Sequence, residues 1–163
     1  MSVLAVGLLG YAKAVGRTTL AARTSREVTL ANEAARRVVE GMRAQAFANV
    51  FAMYNTTNLD NPGGIISPGP SFPVTGLRPR IGDVDGMAGE IVFPVTMVGG
   101  APELRENLVD ADFGMPADLT GEGTIDAANH AANYKMLPVL VRVRWRGVGG
   151  PGEIEYQTIL GGY

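Results

Sequence analysis

The sequence contains no cysteine, and this absence removes several kinds of chemistry at once. Without thiols there is no cysteine nucleophile, no cysteine-ligated metal and no disulfide bond. Histidine is almost as scarce, since His130 is the single example. A Ser-His-Asp triad would have to combine His130 with Ser2, Ser25, Ser67 or Ser71, and none of these serines lies in a nucleophile-elbow sequence. The composition therefore argues against an enzyme, and we expect no catalytic residue and no cofactor.

Proline is absent from the first third of the chain, and the first proline in the sequence is Pro62. No proline therefore interrupts a helix over Met1 to Tyr54. From Leu20 onward, apolar residues recur at three- and four-residue intervals, which predicts one continuous amphipathic helix that needs a partner surface. The predicted packing stripe of this helix contains Val28, Ala31, Ala35, Val38, Met42 and Phe47.

The chain also lacks a hydrophobic run of the roughly 20 residues that a membrane-spanning helix needs. The apolar run at its start ends at Lys13 and contains Val3, Leu4, Val6, Gly7, Leu8, Leu9 and Gly10. Three interpretations compete: a signal peptide, a buried core helix, or the truncated end of a membrane helix. No basic residue precedes the run, which disfavours a signal peptide. We divide the helix into a membrane or filament-core part, residues 1–17, and an amphipathic part, residues 18–54.

Charge separates the helix from the rest of the chain. Residues 1–54 carry seven basic and three acidic side chains, whereas residues 55–163 carry seven basic and thirteen acidic ones. The basic residues of the helix alternate with glutamate, and no aromatic stacking platform accompanies them, so we predict no nucleic-acid partner. The sequence thus predicts an N-terminal helix over 1–54 and an acidic globular part over 55–163.

Glycine and proline are concentrated in the globular part, as expected for a sheet with many turns. We expect variable loops over 55–89 and 99–134. Between them, Glu90 to Val98 predicts a strand, with Pro94 confining it to a sheet edge or a bulge. The polar segment from Ala101 to Ala132 is predicted to be a surface excursion with at most a short helix near Pro102 to Val109.

The clearest strand pattern lies at the C-terminal end, where two alternating runs flank the loop Gly147 to Gly152 and predict a β-hairpin. Symmetric pairing about that loop places Arg146 opposite Glu153 and Arg144 opposite Glu155. The other face of the hairpin is predicted to cover the helix stripe through Val141, Val143, Trp145, Ile154 and Tyr156.

Acidic turns offer one alternative for metal binding. Asp83, Asp85 and Glu90 supply hard oxygen ligands at short spacing, as calcium loops do, but they do not form a complete twelve-residue loop. Acidic turns on such an acidic domain usually face solvent. We therefore predict no metal centre and keep calcium at these three residues as the alternative.

The order of these parts resembles the type IV pilin superfamily, particularly minor pilins of the PilV kind and type II secretion pseudopilins. VLAVGLLGYAKAVGR is similar to the second half of their membrane segment, and LANEAARRVVEGMRA is similar to the helix that follows. VLVRVRWRG and EIEYQTIL resemble their closing hairpin. The resemblance implies an α+β fold, with the C-terminal half of a long N-terminal helix packed on an antiparallel sheet of about three or four strands.

The resemblance also implies a function, although the start of this sequence differs from the start of the family's sequences. Members of this family begin with a basic leader, a cleavage motif and a glutamate early in the helix, and none of these is present. We expect the natural gene to encode them upstream of Met1. The implied role is a minor pilin in a pilus, secretion pseudopilus or DNA-uptake filament, at the bacterial inner membrane before assembly. Its implied partners are other pilins, the inner-membrane assembly machinery and a prepilin peptidase; the alternative is a membrane-anchored adhesin outside any filament.

Overall fold

The computed structural model has an α+β fold in which two helices and an antiparallel sheet share one core. It describes the backbone of residues 2–57, 59–62 and 67–162, and the side chains of the same ranges from residue 15 onward. The elements are helices α1 (Ser2–Arg43) and α2 (Phe47–Tyr54) and strands β1 (Ser71–Phe72), β2 (Gly89–Val92), β3 (Val95–Val98), β4 (Ala101–Leu104), β5 (Met136–Gly147) and β6 (Gly150–Gly161). The predicted fold class, a long N-terminal helix on an antiparallel sheet, is confirmed.

The main sheet has four antiparallel strands in the order β1-β2-β5-β6. Strand β5 lies inside the sheet and supplies much of the core, because its β-branched and leucine side chains are fully buried at Leu137, Val139, Val141 and Val143. The helices cover this surface with Ala31, Ala35, Val39, Met42, Val50 and Phe51. Small alanine side chains at the centre of the stripe let the helix approach the sheet closely.

The prediction of one continuous helix up to Tyr54 is wrong at one place, because α1 ends at Arg43 and α2 begins at Phe47. Neither proline nor glycine lies in the break. Tyr134 provides the tertiary contact there: its hydroxyl donates to the Phe47 carbonyl at 2.7 Å and accepts from the Phe51 amide at 3.2 Å. The Phe47 and Tyr134 rings also meet edge to face, with 4.9 Å between centroids. The end of the predicted helix near Asn55 is confirmed.

The predicted strand from Glu90 to Val98 is also divided. Strand β2 joins the main sheet, whereas β3 pairs with β4 in a separate two-stranded sheet. Pro94 lies between the two strands, where its missing N–H and fixed φ end one ladder before the next begins.

The terminal hairpin is present, but its register differs from the prediction. Arg144 lies opposite Glu153 and Arg142 opposite Glu155, so the turn is the two residues Val148 and Gly149 instead of the six from Gly147 to Gly152. Gly152 explains the difference, because it lies opposite Trp145 and a Cβ at this position would overlap the indole ring. The glycines that suggested a long loop therefore belong to the strand, where the lack of a side chain makes room for tryptophan.

The prediction of a surface excursion from Ala101 to Ala132 is wrong for residues 101–120, whereas every residue from 121 to 129 is exposed. In place of a short helix near Pro102, this stretch begins with strand β4. It then buries four apolar side chains, at Leu104, Phe113, Met115 and Leu119. Leu104 and Leu119 are almost completely inaccessible to solvent, so the segment contributes to the core instead of covering it loosely.

Candidate functional site

The part of α1 that precedes Glu27 lies, from Arg17 onward, beside the tip of the terminal hairpin. Every residue from 15 to 26 is exposed, and the first buried side chain of the helix is Ala31. Apolar side chains are among those exposed, with 43% of Val15 and 42% of Leu20 accessible to solvent. Residues 15–26 therefore present an apolar and basic surface that is accessible to solvent.

The side chains of the predicted membrane or filament-core residues lie outside the described residues. This applies to Val3, Leu4, Val6, Gly7, Leu8, Leu9 and Gly10. Over the part of the chain that the structure describes, no helix combines the length and the apolar character that crossing a membrane requires.

The exposed half of α1 meets the tip of the terminal hairpin at Glu27. The two oxygens of this carboxylate accept the indole N–H of Trp145, at 3.3 Å, and the backbone N–H of Val148, at 3.1 Å. A groove with a volume of about 700 Å³ lies beside this contact, between the helix at Leu20 and Val28 and the hairpin at Trp145. The contact fixes the direction in which the helix leaves the globular part.

The residues predicted to pack between helix and sheet differ in burial. Ala31, Ala35 and Met42 of the helix are buried, Val38 and Phe47 are half-buried, and Val28 remains 37% exposed. On the sheet, Val141, Val143 and Trp145 are buried, and Ile154 and Tyr156 are half-buried. The packed interface thus begins near Ala31, one turn later than the sequence stripe that includes Val28.

The three residues considered for calcium lie in different environments. Glu90 pairs with Arg144 at 2.7 Å and approaches Arg142 at 3.7 Å, so arginine already neutralises its charge. Asp83 and Asp85 interact with each other, and the side-chain hydrogen bond from Asp85 is the first cause that raises the pKa of Asp83. The pKa of Asp85 is lowered, first by the Ser71 side chain and then by the Met87 backbone N–H.

A different cluster brings ligand atoms together in the segment after β4. Among the described residues, Glu106, Asp126 and His130 form a group in which one carboxylate oxygen or ring nitrogen of each lies within 4.8 Å of the others. His130 Nε2 is 2.9 Å from Asp126 Oδ1 and 3.8 Å from Glu106 Oε2. Glu106 and His130 are buried, whereas Asp126 remains exposed. The cluster therefore has a buried side and a side open to solvent.

Glu106 also organises the backbone around the cluster. Its Oε1 accepts the N–H groups of Leu119 and Thr120 at 2.7 and 3.0 Å. Its Oε2 accepts the Asp126 N–H at 3.3 Å. One buried carboxylate thus ties three backbone amides to the end of β4, while Asp118 accepts the N–H groups of the glycine-containing turn at residues 121–123.

Both ring nitrogens of His130 face oxygen atoms, since Nδ1 lies 3.3 Å from Asn133 Oδ1 and Nε2 lies next to Asp126. Burial opposes the charged form of the imidazole, but these two contacts and the charge of Glu106 outweigh it and raise the pKa of His130. The pKa of Asp126 is lowered, first by the Ala128 N–H and then by His130. The geometry therefore favours a positive charge at Nε2.

This cluster was missed at the level of sequence. Glu106 and His130 are separated by a long segment without periodicity, and a lone histidine gives no metal-binding spacing. One sequence feature could have indicated part of the cluster. Asp126 and His130 are four residues apart, in a stretch rich in Asp and Asn, residues whose side chains often form turns with the backbone. The sequence contains no feature that places Glu106 beside them.

The site and fold together define an α+β protein with a projecting helix and an acidic globular part, a layout that is consistent with pilin-like proteins without being specific to them. Comparison with models of protein families, with curated proteins and with solved structures finds no match.

Proposed function

We propose that the chain is a structural subunit of a filament of the type IV pilus or pseudopilus kind, a minor pilin that assembles through the first half of α1. The observation that carries this proposal is that every residue from 15 to 26 is exposed in a helix that extends from Ser2 to Arg43. Isolated helical segments shorter than about 12–15 residues are marginal in water. Contacts with the helices of other subunits would supply the burial that this half lacks.

The charge distribution supports assembly between copies. The first 26 residues contain Lys13, Arg17, Arg23 and Arg26 and no acidic residue. Residues 55–163 carry an excess of acidic side chains, thirteen against seven basic ones. Apolar side chains would provide the contact between helices, and the opposite charges would then favour contact between the basic side chains of one subunit's helix and the acidic globular part of the next.

The absence of cysteine makes this proposal directly testable. A Leu20→Cys variant, expressed from the intact gene, carries a single thiol on the exposed half of the helix. If helices bundle, mild oxidation of whole cells yields disulfide-linked dimers. The control is Val84→Cys, whose side chain is more accessible than that of Leu20 but lies on a loop of the globular part, and we expect it to remain monomeric.

The rival function is a membrane-anchored adhesin or ligand-binding domain that never enters a filament. It predicts that Leu20→Cys and Val84→Cys give equally little dimer, and that outcome would overturn the proposal. Co-expression with pilins of the same cell that carry a single cysteine introduced in their own N-terminal helix extends the test, because mixed disulfide-linked dimers with Leu20→Cys would identify the filament partners. The assembly machinery and the prepilin peptidase act, on this proposal, at the inner membrane before the subunit reaches the filament.

A further inference from the structure

We propose that Glu106, Asp126 and His130 form a binding site for a divalent transition-metal ion, with Zn²⁺ as the ion that best fits the ligands. The three side chains present two carboxylate oxygens and one imidazole nitrogen, with the ligand atoms within 4.8 Å of one another. This set is typical of zinc and related ions, whereas calcium and magnesium prefer oxygen alone. The proposal does not depend on filament assembly.

The distances are close to those that a bound ion would require. Ligands held at about 2.0–2.2 Å from a tetrahedral ion lie roughly 3.3–3.5 Å from one another. In the structure, His130 Nε2 is 2.9 Å from Asp126 Oδ1 and 3.8 Å from Glu106 Oε2. Small movements therefore reach the required geometry, and they need not break the hydrogen bond from the Ala128 N–H to Asp126 Oδ1, because a carboxylate oxygen can accept this bond and bind an ion at the same time.

The other nitrogen of His130 supports the same assignment. Nδ1 lies 3.3 Å from the Asn133 Oδ1 atom, so an N–H at Nδ1 has an acceptor and the lone pair of a neutral ring lies at Nε2. Histidine ligands of metals are oriented in this way by a second hydrogen bond on the far side of the ring. With Nδ1 protonated, Nε2 faces two carboxylates, Asp126 at 2.9 Å and Glu106 at 3.8 Å, and either a proton or a metal ion at Nε2 would balance their charge.

The charge around Glu106 leads to the same conclusion. Its side chain is almost completely buried, and its described ion-pair partner is His130 rather than any lysine or arginine. A buried carboxylate needs a compensating positive charge. Either a proton on His130 or a metal ion supplies it, and the two compete because the ion binds only the neutral ring. Glu106 and Asp126 are the titratable groups that face this ring.

The bound ion would have three protein ligands and an open side. Asp126 lies at the solvent boundary, so water can enter there and complete the coordination. The ion would connect the end of β4, through Glu106, to the turn that carries Asp126 and His130. Its expected effect is to stabilise the segment between them, which the structure otherwise fixes through the hydrogen bonds of Glu106.

The test uses the full chain without a polyhistidine tag, after treatment with a chelator. Titration with Zn²⁺ at about pH 7.5, followed by calorimetry, should show one ion per chain. At about 100 times Kd, the melting temperature should rise by about 5–10 °C. Lowering the pH to about 5.5 should weaken binding, since the proton on His130 must then be displaced. Mg²⁺ and Ca²⁺ should have no comparable effect.

Two variants locate the site. His130→Gln and Asp126→Asn should each lower the affinity for Zn²⁺ by about tenfold or more. Asn at position 126 retains the oxygen that accepts the Ala128 N–H, so this variant keeps the local turn even if His130→Gln fails to fold. The control is Asp112→Asn, which removes an exposed carboxylate outside the cluster and should bind Zn²⁺ as the wild type does.

Two results would overturn the proposal. If Zn²⁺ leaves the melting temperature of the wild type unchanged, the cluster is a hydrogen-bonded ion pair whose cation is the proton. If Zn²⁺ binds the wild type and Asp126→Asn with equal affinity, the ion occupies another place on the acidic surface.

Discussion

Glu27 and Trp145 connect the long helix to the tip of the terminal hairpin, with 3.3 Å between the carboxylate Oε2 and the indole Nε1. Residues 15–26, on the N-terminal side of Glu27, are exposed, and the buried interface with the sheet begins four residues after Glu27 at Ala31. The second oxygen of Glu27 holds the hairpin turn through the Val148 N–H. This one side chain therefore fixes both the exit of the helix and the conformation of the turn.

We expect Glu27→Ala to lower the free energy of unfolding by about 1–2 kcal/mol, because it removes two hydrogen bonds to a charged, half-buried acceptor. Urea unfolding measures the change, and Trp145, as the single tryptophan, reports it by fluorescence. The control Glu33→Ala removes an exposed glutamate on the same helix and should change stability by less than about 0.5 kcal/mol. Equal losses in the two variants would contradict the proposed anchor.

A second prediction concerns the glycine opposite the same tryptophan. Gly152→Ala places a methyl group against the Trp145 indole, and we expect a loss of about 1–3 kcal/mol from the resulting overpacking. Gly161→Ala is the matched control on the same strand, since an added Cβ there meets no atom within 4 Å. Thermal unfolding of both variants checks the prediction. A stable Gly152→Ala protein would show that the indole has another position available.

The fold class and the terminal hairpin could be predicted because they depend on local periodicity. Alternation along β5 and three- and four-residue spacing in α1 are properties of consecutive residues. The hairpin register could not be predicted in the same way, since it depends on the size of Trp145 relative to the residue opposite it. In the sequence alone, a glycine that makes room for a large side chain on the neighbouring strand cannot be distinguished from a glycine that forms a turn.

The other predictions that proved wrong also failed because the structure there depends on contacts between residues that are distant in the sequence. The helix breaks after Arg43 where Tyr134, from the far end of the chain, binds the backbone of Phe47. The segment around Glu106 appeared to be a solvent-exposed loop because its composition is polar. Its order comes from one buried carboxylate whose partners, Leu119 and Thr120, have no sequence feature that identifies them.

Glu106 offers a third test, one that separates hydrogen bonding from charge. Glu106→Ala leaves the buried N–H groups of Leu119 and Thr120 without their acceptor, and we expect it to cost about 2–4 kcal/mol. Glu106→Gln keeps an oxygen in the same place and should retain a substantial part of that stability. Chemical denaturation in the presence of a chelator provides the measurement. If the two variants lose the same amount, the backbone amides do not depend on this oxygen.

Calcium provides a fourth test, at Asp83, Asp85 and Glu90. We expect millimolar Ca²⁺ to leave the melting temperature unchanged, because Arg144 already neutralises Glu90 at 2.7 Å. Removing that competitor with Arg144→Gln should not create a site either, since calcium needs six to eight oxygen ligands and these three carboxylates supply six only if each binds through both of its oxygens. A rise in melting temperature with Ca²⁺, abolished by Asp85→Asn, would restore the calcium hypothesis.

The fifth prediction concerns pH in the absence of metal. Asp126, Asn133 and Glu106 together raise the pKa of His130 in the folded protein, so folding favours the protonated ring. The resulting stabilisation is fully present below the unfolded pKa of about 6.5 and is lost as the pH rises through the higher folded value. Urea unfolding in a chelator at about pH 6 and pH 8.5 should therefore show lower stability at the higher pH.

The matched variant for this prediction is His130→Gln, which removes the titrating group and should flatten the change over the same interval. Asp126 acts in the opposite direction, because the Ala128 N–H and His130 lower the pKa of its carboxyl group. Its contribution is present above the unfolded value of about 3.9 and is lost as the pH falls through the folded value. Maximum stabilisation from the pair thus lies between about pH 4 and pH 6.5, and an unchanged pH dependence in His130→Gln would assign the effect to other groups.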